Sequence, residues 1–370
     1  MTFTDLYIPS GNGWIKGELC VENGMFSHAE NGDKISLGGA KVLPGLIDTH
    51  IHGAYGVAFD HADADVYLAA RMLARAGVTA FAPTLSALGE ADAVAAIRNI
   101  VAASNSQASD EARILGIHLE GPFVSPGRTG ALNPENLRLP DVGLFCRLVE
   151  AGEGLVKLMT VAPELEGAIG LAPEAERLGV KLSMGHSVAS YEQAEAAVEA
   201  GFRRATHVFN GMVPFGHREP GLLGAALTDE RVECEMICDF VHLSPTAVKL
   251  VLLSKGAERV TAISDAVSGA GLGDGEHELG GVSYRIAEGV ARLPDGTICG
   301  SCRTLDAALA NLLSLGVTPS EAAKICSANP ARALGAADAG SLENGKRADF
   351  ITVDDAGKVE GVWLSGRRIG

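Results

Sequence analysis

Aromatic side chains make up only 5% of this 370-residue chain, against a hydrophobic total of 47%. A core drawn mainly from Ala, Val, Leu and Ile suits repeated βα units better than a β-sandwich. Basic residues are also scarce: 30 Lys and Arg face 46 Asp and Glu, a formal charge of −16. That balance argues against nucleic acid or an anionic membrane as partner, because both need a surplus of positive charge. An anionic small molecule is still allowed, provided that local cations override the overall field. No apolar run approaches the ~18 residues of a membrane span. Met1-Thr2-Phe3-Thr4-Asp5 has neither the basic nor the apolar region of a secretory signal, so the expected location is cytoplasmic. The seven cysteines, an odd number scattered along the chain, fit reduced thiols rather than a disulfide framework. Cys299-Gly300-Ser301-Cys302 has redox or zinc spacing, but it lacks a second pair and a βαβ setting. It reads as small buried residues.

The most informative stretch is Pro44-Gly45-Leu46-Ile47-Asp48-Thr49-His50-Ile51-His52-Gly53, an apolar run ending in His-x-His. Side chains on a strand alternate faces, so His50 and His52 point the same way, either as a metal site in the making or as a hydrogen-bonded pair. Before it, residues 1–44 hold short β-prone runs such as Asp5-Leu6-Tyr7-Ile8 and Gly13-Trp14-Ile15-Lys16-Gly17-Glu18-Leu19. Ala348 to Asp354 and Val359 to Leu364 look alike at the other end. Residues 1–44 with 336–370 would therefore make one small β-domain, with residues 45–335 inserted between its halves.

That middle alternates strand-like segments (46–50, 78–82, 113–119, 156–161, 180–185, 204–208, 234–239 and 260–265) with Ala-rich helical stretches such as 63–76, 90–104, 190–200 and 245–255. Eight βα units predict a closed parallel (β/α)8 barrel of the TIM type, which takes roughly 250 residues and carries its chemistry at the strand C-termini. Strand one ends at His50 and His52, strand three at His118 and Glu120, strand five at His186 and strand six at His207. Strand seven ends at Asp239, with His242 close behind, and strand eight at Asp265. Six of the ten histidines thus fall at or just past a strand end.

Imidazoles and carboxylates converging in a barrel mouth are what Zn2+ or Fe2+ takes when one position must stay open for water. Glu120, His186 and His207 are the expected core ligands. His50 and His52 would hold a second ion or complete the same site, giving one or two ions per subunit. His118, on the face of Glu120, is the one expected to stand behind the ligands. Asp265 is the expected general base, taking a proton from the attacking water and passing it to a leaving amine.

Further motifs carry a family resemblance. The His-x-His after Pro-Gly-Leu-Ile-Asp, the strand-eight Asp265 and the Gly340-to-Asp349 segment (Gly-Ser-Leu-Glu-Asn-Gly-Lys-Arg-Ala-Asp) resemble the amidohydrolase superfamily. Within it, His118-Leu-Glu-Gly-Pro-Phe123, Gly185-His-Ser187, Thr206-His-Val-Phe-Asn210 and Arg218-Glu-Pro-Gly221 resemble the N-acetylglucosamine-6-phosphate deacetylases. The resemblance spans nearly the whole chain. It implies a homodimer that hydrolyses the acetamide of N-acetyl-D-glucosamine 6-phosphate to D-glucosamine 6-phosphate and acetate. It also implies that Asn210, Gly211, Arg218 and His242 hold the sugar phosphate. Arg218 suits that role because its guanidinium can grip a phosphate with two parallel hydrogen bonds.

Three departures bear on the substrate. Leu132 stands in Gly130-Ala131-Leu132-Asn133-Pro134 where that family typically has histidine, Phe240 follows Asp239 in place of glycine, and Gly211 follows Asn210 in place of alanine. Leu132 cannot donate a hydrogen bond, and a phenyl ring at 240 would be expected to narrow or reshape the sugar pocket. A deacetylase for another N-acetylhexosamine, such as N-acetylgalactosamine 6-phosphate, or another amidohydrolase, is the alternative. Two-metal cyclic-amide hydrolases, which typically use a strand-four lysine, fit poorly because that strand ends Thr160-Val161-Ala162-Pro163 and its only lysine, Lys157, is near the start. A catalytically silent scaffold would be expected to lack ligands, and none is missing. Ser268 to Gly275 lacks a P-loop ending. It reads as a loop bordering the site, followed by a hairpin at 281–299 that could act as a lid.

Overall fold

A computed structural model describes residues 1–29 and 32–369. Eight strands form the parallel barrel: β1 (Leu46–Ile51), β2 (Val78–Leu85), β3 (Ile117–Glu120), β4 (Val156–Val161), β5 (Lys181–Met184), β6 (Arg204–Ala205), β7 (Glu233–Ile237) and β8 (Val260–Ile263). Each pairs in parallel with the next, from β1 through β8. The ring closes just past the last strand, where Asp265 N donates to His50 O at 2.9 Å and His52 N to Ala266 O at 2.8 Å. Closure thus runs through the backbone of three residues singled out for chemistry.

The predicted strand positions hold, with shifts at their ends. The 113–119 segment is interrupted, its first part being a short bridge at Arg113–Ile114 before β3. The 204–208 segment shrinks to two residues because the chain turns at Thr206. Strands β1 and β2 are buried along their whole length, which is why they read as continuous apolar runs rather than alternating ones. Several helices begin where capping residues supply acceptors: Asp65 for Val66–Arg75, Ser190 with Gln193 as a capping box for Tyr191–Ala200, and Ser244 for Pro245–Lys255.

The two chain ends build one seven-stranded sheet, in which Phe350–Val353 pairs with Lys34–Pro44. One face joins the barrel core through Ile351, Val353, Val362 and Leu364. The other face carries its own core, in which Phe3, Phe26, Phe350 and Trp363 gather. Phe350 stacks on Trp363 at 4.8 Å and meets the edge of Phe3 at 5.1 Å. A chain short of aromatics therefore concentrates four of them in its smaller core, where each contributes about 0.5–1.5 kcal/mol of ring pairing beyond burial. No helix of the described residues is long and apolar enough to cross a membrane.

Beyond β8 the predicted hairpin is a three-stranded meander, Gly275–Leu279, Val282–Ala287 and Val290–Arg292, so it starts earlier than 281. The first half of the preceding loop is buried and tied down: Ser268 Oγ and Gly269 N both lie 3.0 Å from the Tyr284 hydroxyl. Only residues 271–274 are exposed.

Candidate metal centre

The barrel strands stop where the ligands begin. His186, His207 and Asp265 follow β5, β6 and β8 with φ of 47°, 27° and 51°. Left-handed backbone is uncommon outside glycine, though histidine and aspartate tolerate it better than branched residues. Each turn aims a side chain into the barrel mouth instead of continuing the strand. His186 needs close backbone neighbours: a Cβ at Gly130 would lie 3.2 Å from its Cε1, and one at Gly211 3.1 Å from its Nδ1. Both glycines also have positive φ, so the imidazole is clasped between two positions where a side chain is disfavoured.

Six side chains then converge. Glu120, His186 and His207 form one group whose ligand atoms lie within 4.8 Å of one another, and His50, His52 and Asp265 form a second. Glu120 touches both. Its Oε1 is 3.1 Å from His186 Nε2, 2.8 Å from His207 Nε2 and 3.3 Å from His50 Nε2, while its Oε2 is 3.1 Å from His52 Nε2. Asp265 Oδ1 lies 3.4 Å from Nε2 of both His50 and His52.

The far side of three rings fixes which nitrogen carries a proton. His186 Nδ1 faces the Arg128 carbonyl at 2.7 Å, His207 Nδ1 the Asn210 carbonyl at 3.2 Å, and His50 Nδ1 the Glu235 carboxylate at 3.2 Å. Those oxygens only accept, so each Nδ1 donates, and in the neutral ring each Nε2 turns a lone pair inward. Lone pairs of imidazole and carboxylate meeting face to face repel unless positive charge lies among them. Protons supply it when nothing else does. Burial pulls His52 down, but Asp265 and Glu120 carry it up to about 9, and Glu120 chiefly raises His50 and His186 in the same way. Burial would raise Glu120, yet His50 and His186 hold it well below the usual carboxylate range. This donor set of nitrogen and oxygen fits a divalent cation of the Zn2+ or Fe2+ kind, which would take the place of those protons.

Behind the six lies a buried polar frame that sequence reasoning had only partly located. His118 stands there as expected: its Nε2 is 2.9 Å from Thr160 Oγ1, its ring meets His50 edge-on at 4.5 Å, and burial followed by His50 pushes it down to about 3. It is a neutral ring. Asp48 Oδ1 accepts from the backbone N of His50 at 3.3 Å and of Ser264 at 3.2 Å, joining β1 to β8. Glu235 and Arg204 are new. Glu235 Oε2 accepts from His50, and its Oε1 accepts from Arg204 at 3.1 Å, with both residues at most 1% exposed. Burial would raise Glu235, but His50 and Arg204 bring it to about 2. A charge of each sign inside adjacent barrel strands, Arg204 on β6 and Glu235 on β7, was the available signal.

A cavity of about 250 Å³ opens over the cluster. Asn210, Gly211 and His242 line it together with Leu132 and, from the meander, Leu279. His242 Nδ1 is 2.9 Å from Asp239 Oδ2; burial lowers the imidazole and the Asp239 carboxylate raises it further, so it keeps its charge to higher pH. Leu132 is buried against Ala87 and Val124, so this wall offers no donor. Two residues singled out in the sequence lie outside these walls. Arg218 is exposed on the loop between β6 and the helix Gly221–Thr228, and it is not among the cavity walls. Phe240 turns at φ 63° and packs partly buried against the main core, which leaves the cavity unnarrowed by its ring.

Residues 41–369 match the Amidohydrolase family. The chain belongs to that family. Within the amidohydrolases it is 36% identical to the N-acetylgalactosamine-6-phosphate deacetylase of Escherichia coli O157:H7, over 88% of this chain and 87% of that protein. It is 37% identical to the N-acetylglucosamine-6-phosphate deacetylase of Bacillus subtilis strain 168, over 84% and 80%. A solved structure of the Mycobacterium smegmatis N-acetyl-D-glucosamine-6-phosphate deacetylase, an aspartate-to-alanine mutant in complex with N-acetyl-D-glucosamine-6-phosphate, superposes with a TM-score of 0.92 at 33% identity. That match covers 100% of this chain and 98% of the other. This amidohydrolase is thus a hydrolytic enzyme whose relatives are amino-sugar phosphate deacetylases.

Proposed function

We propose that this amidohydrolase cleaves the acetamide of an N-acetylhexosamine 6-phosphate, N-acetyl-D-glucosamine 6-phosphate first among them, giving acetate and the free amine. The observation that carries the reading is the six-donor cluster in the barrel mouth, with Glu120 in reach of both halves. Glu120, His186 and His207 would hold one divalent ion, Zn2+ or Fe2+, and His50 and His52 with Asp265 a second. Such an ion polarises a carbonyl oxygen and lowers the pKa of water from 15.7 to about 7.

Asp265 is the general base in this reading. Burial would raise it, yet His50 and His52 hold it below its ordinary value, so it is ionised at neutral pH. Its side chain is 12% exposed, against 4% for Glu120 and 0% for Glu235, which makes it the site carboxylate most open to the cavity. Oδ1 makes the contacts to His50 and His52. Oδ2 remains to take the proton of the attacking water and return it to the amine as the C–N bond breaks. His242, held by Asp239, would meet an anionic part of the substrate, and Asn210 and Gly211 would flank the sugar. Arg218 would reach the phosphate only by closure of its loop or across a subunit boundary of a homodimer.

One second reading has a specific observation behind it. The Escherichia coli relative carries the galactosamine name, and Leu132 puts an apolar wall where a donor was expected. The test is a metal-loaded activity screen over N-acetylated glucosamine, galactosamine and mannosamine, each with and without the 6-phosphate. Deacetylation of the phosphorylated sugars supports the proposal and ranks the epimers; no turnover on any of them refutes it.

A further inference from the structure

A second cavity lies at the opposite end of the barrel. About 690 Å³ in volume, it opens where β5, β6, β7 and β8 begin, and Lys181, Arg204 and Glu233 from the first residues of three of those strands line it. Its walls hold six cations, Lys181, Arg203, Arg204, Arg231, Arg259 and Arg332, against three carboxylates. In a chain with a formal charge of −16 that is a local reversal of sign.

Part of this charge is consumed by structure. Arg204 pairs with Glu233 at 2.7 Å, Arg332 with Glu233 at 2.9 Å, and Arg231 with Asp229 and Glu199. The remainder is not. Lys181 Nζ donates to the Arg332 carbonyl and Arg203 to the carbonyls of Val198 and Phe202, so neither meets a carboxylate within ion-pair distance among the described residues. Arg259, just before β8, has no side-chain partner among them. At the floor, Arg204 is 1% exposed and its Nε is buried without a hydrogen-bond partner. Burial, then the Arg204 charge, draws the Lys181 amine below its ordinary value. Arg204 itself is matched by Glu233 and Glu235, but Lys181, Arg203 and Arg259 stand exposed around it with no carboxylate of the described residues in ion-pair distance, so their charge is open to an anion from solvent.

We propose that this cavity is a second ligand site, one that takes a small phosphate-bearing anion, as the free ion or as a sugar ester, on the face away from the metal centre. Arg259, Arg203 and Lys181 are the groups free to meet it, and guanidinium is suited to bidentate phosphate contacts. Its occupancy has a physical route to the reaction. Arg204 in the floor bonds Glu235, and Glu235 bonds His50. An anion that draws on Arg204 or Arg332 acts on the same buried chain that orients a metal ligand.

The test is calorimetric titration of the full-length, metal-loaded protein with inorganic phosphate and, separately, with fructose 1,6-bisphosphate. Saturable binding at one per subunit is expected, with the arm that binds more tightly identifying the free ion or the ester. In Arg203→Ala/Arg259→Ala, binding should weaken about tenfold or more while turnover stays at the wild-type level, since neither residue is near the chemistry. The Arg203→Lys/Arg259→Lys pair, which keeps the charge, should recover most of the affinity and serves if the alanine pair does not fold. No saturable binding of either probe to the wild type overturns the proposal. So does equal binding to both variant pairs and the wild type, which would mean an adventitious ion only or uptake in the catalytic cavity.

Discussion

Replacing Glu235 with glutamine tests whether the buried frame governs the metal centre. The carboxylate presents one oxygen to His50 Nδ1 at 3.2 Å and the other to Arg204 at 3.1 Å, and both of those partners are donors. Glutamine has the same shape but only one acceptor oxygen. If that oxygen serves Arg204, the amide NH2 faces His50 and drives its proton onto Nε2, which then cannot ligate. If it serves His50, Arg204 keeps Glu233 but loses one charged bond inside the barrel. Groups that orient metal-bound histidines are worth about 10–100-fold in metal affinity, and a buried donor left unsatisfied costs about 1–3 kcal/mol. Glu235→Gln should therefore bind metal in the His50 group 10–100-fold more weakly, roughly, and melt several degrees lower. Competition against a chromophoric chelator, metal stoichiometry and thermal unfolding are the measurements. Unchanged affinity together with unchanged stability would refute the reasoning.

Other outcomes follow from the same geometry. Asp265→Asn should lower turnover on the order of 10²- to 10⁴-fold while Glu120, His186 and His207 still retain metal, as measured by steady-state kinetics and metal analysis. Arg218→Ala should raise KM for phosphorylated substrates and leave unphosphorylated ones unaffected; equal effects on both would remove Arg218 from the phosphate site. Chelating the metal should lower the melting temperature and Zn2+ should restore it, bound metal adding about 4.1 kcal/mol of stability when free metal stands at a thousand times its dissociation constant. The Asp239–His242 pair sets a pH window. His242 is raised above 6.5, so its contribution is complete below that pH and fades as pH climbs through the raised value. Asp239 is lowered below 3.8, so its contribution is complete above that pH and fades on further acidification. Asp239→Asn should thus destabilise most between about pH 4 and 6.5 and less at alkaline pH, by thermal unfolding across that range. Phe350→Ala, which empties the centre of the chain-end core, should cost about 3–5 kcal/mol in denaturant unfolding.

Much of the barrel was legible because its strands are largely buried on both faces and several of its helices carry caps, so local pattern and tertiary fate agree. The ligands were legible for a geometric reason: they sit at strand ends, where a polar residue interrupts an apolar run. His50, His52, Glu120, His186, His207 and Asp265 all announce themselves in that way and all converge. Arg204 and Glu235 did not, because one opens its strand and the other lies inside its strand, away from the C-terminal ends, and each gains meaning only from its partner on the neighbouring strand, 31 residues away in sequence. Arg218 is a different case. Its residue type suited phosphate, but reach depends on the path of the 213–220 loop, which no local pattern encodes. The placement of Phe240 was hidden for a similar reason: after a turn at φ 63° the residue packs partly buried against the main core, and a backbone angle of that sign is not written in an Asp-Phe pair.

The left-handed turns at His186, His207 and Asp265 also shape how this protein can change. Strain of this kind, of order 1–3 kcal/mol per residue, is stored in the folded chain whether or not metal or substrate is present. Glycine at these positions would relieve it, so His207→Gly should fold more stably than His207→Ala although both lose the ligand. A lineage released from selection for the reaction would gain stability by discarding these residues first. Each of these side chains reaches the barrel mouth in a conformation that the backbone resists.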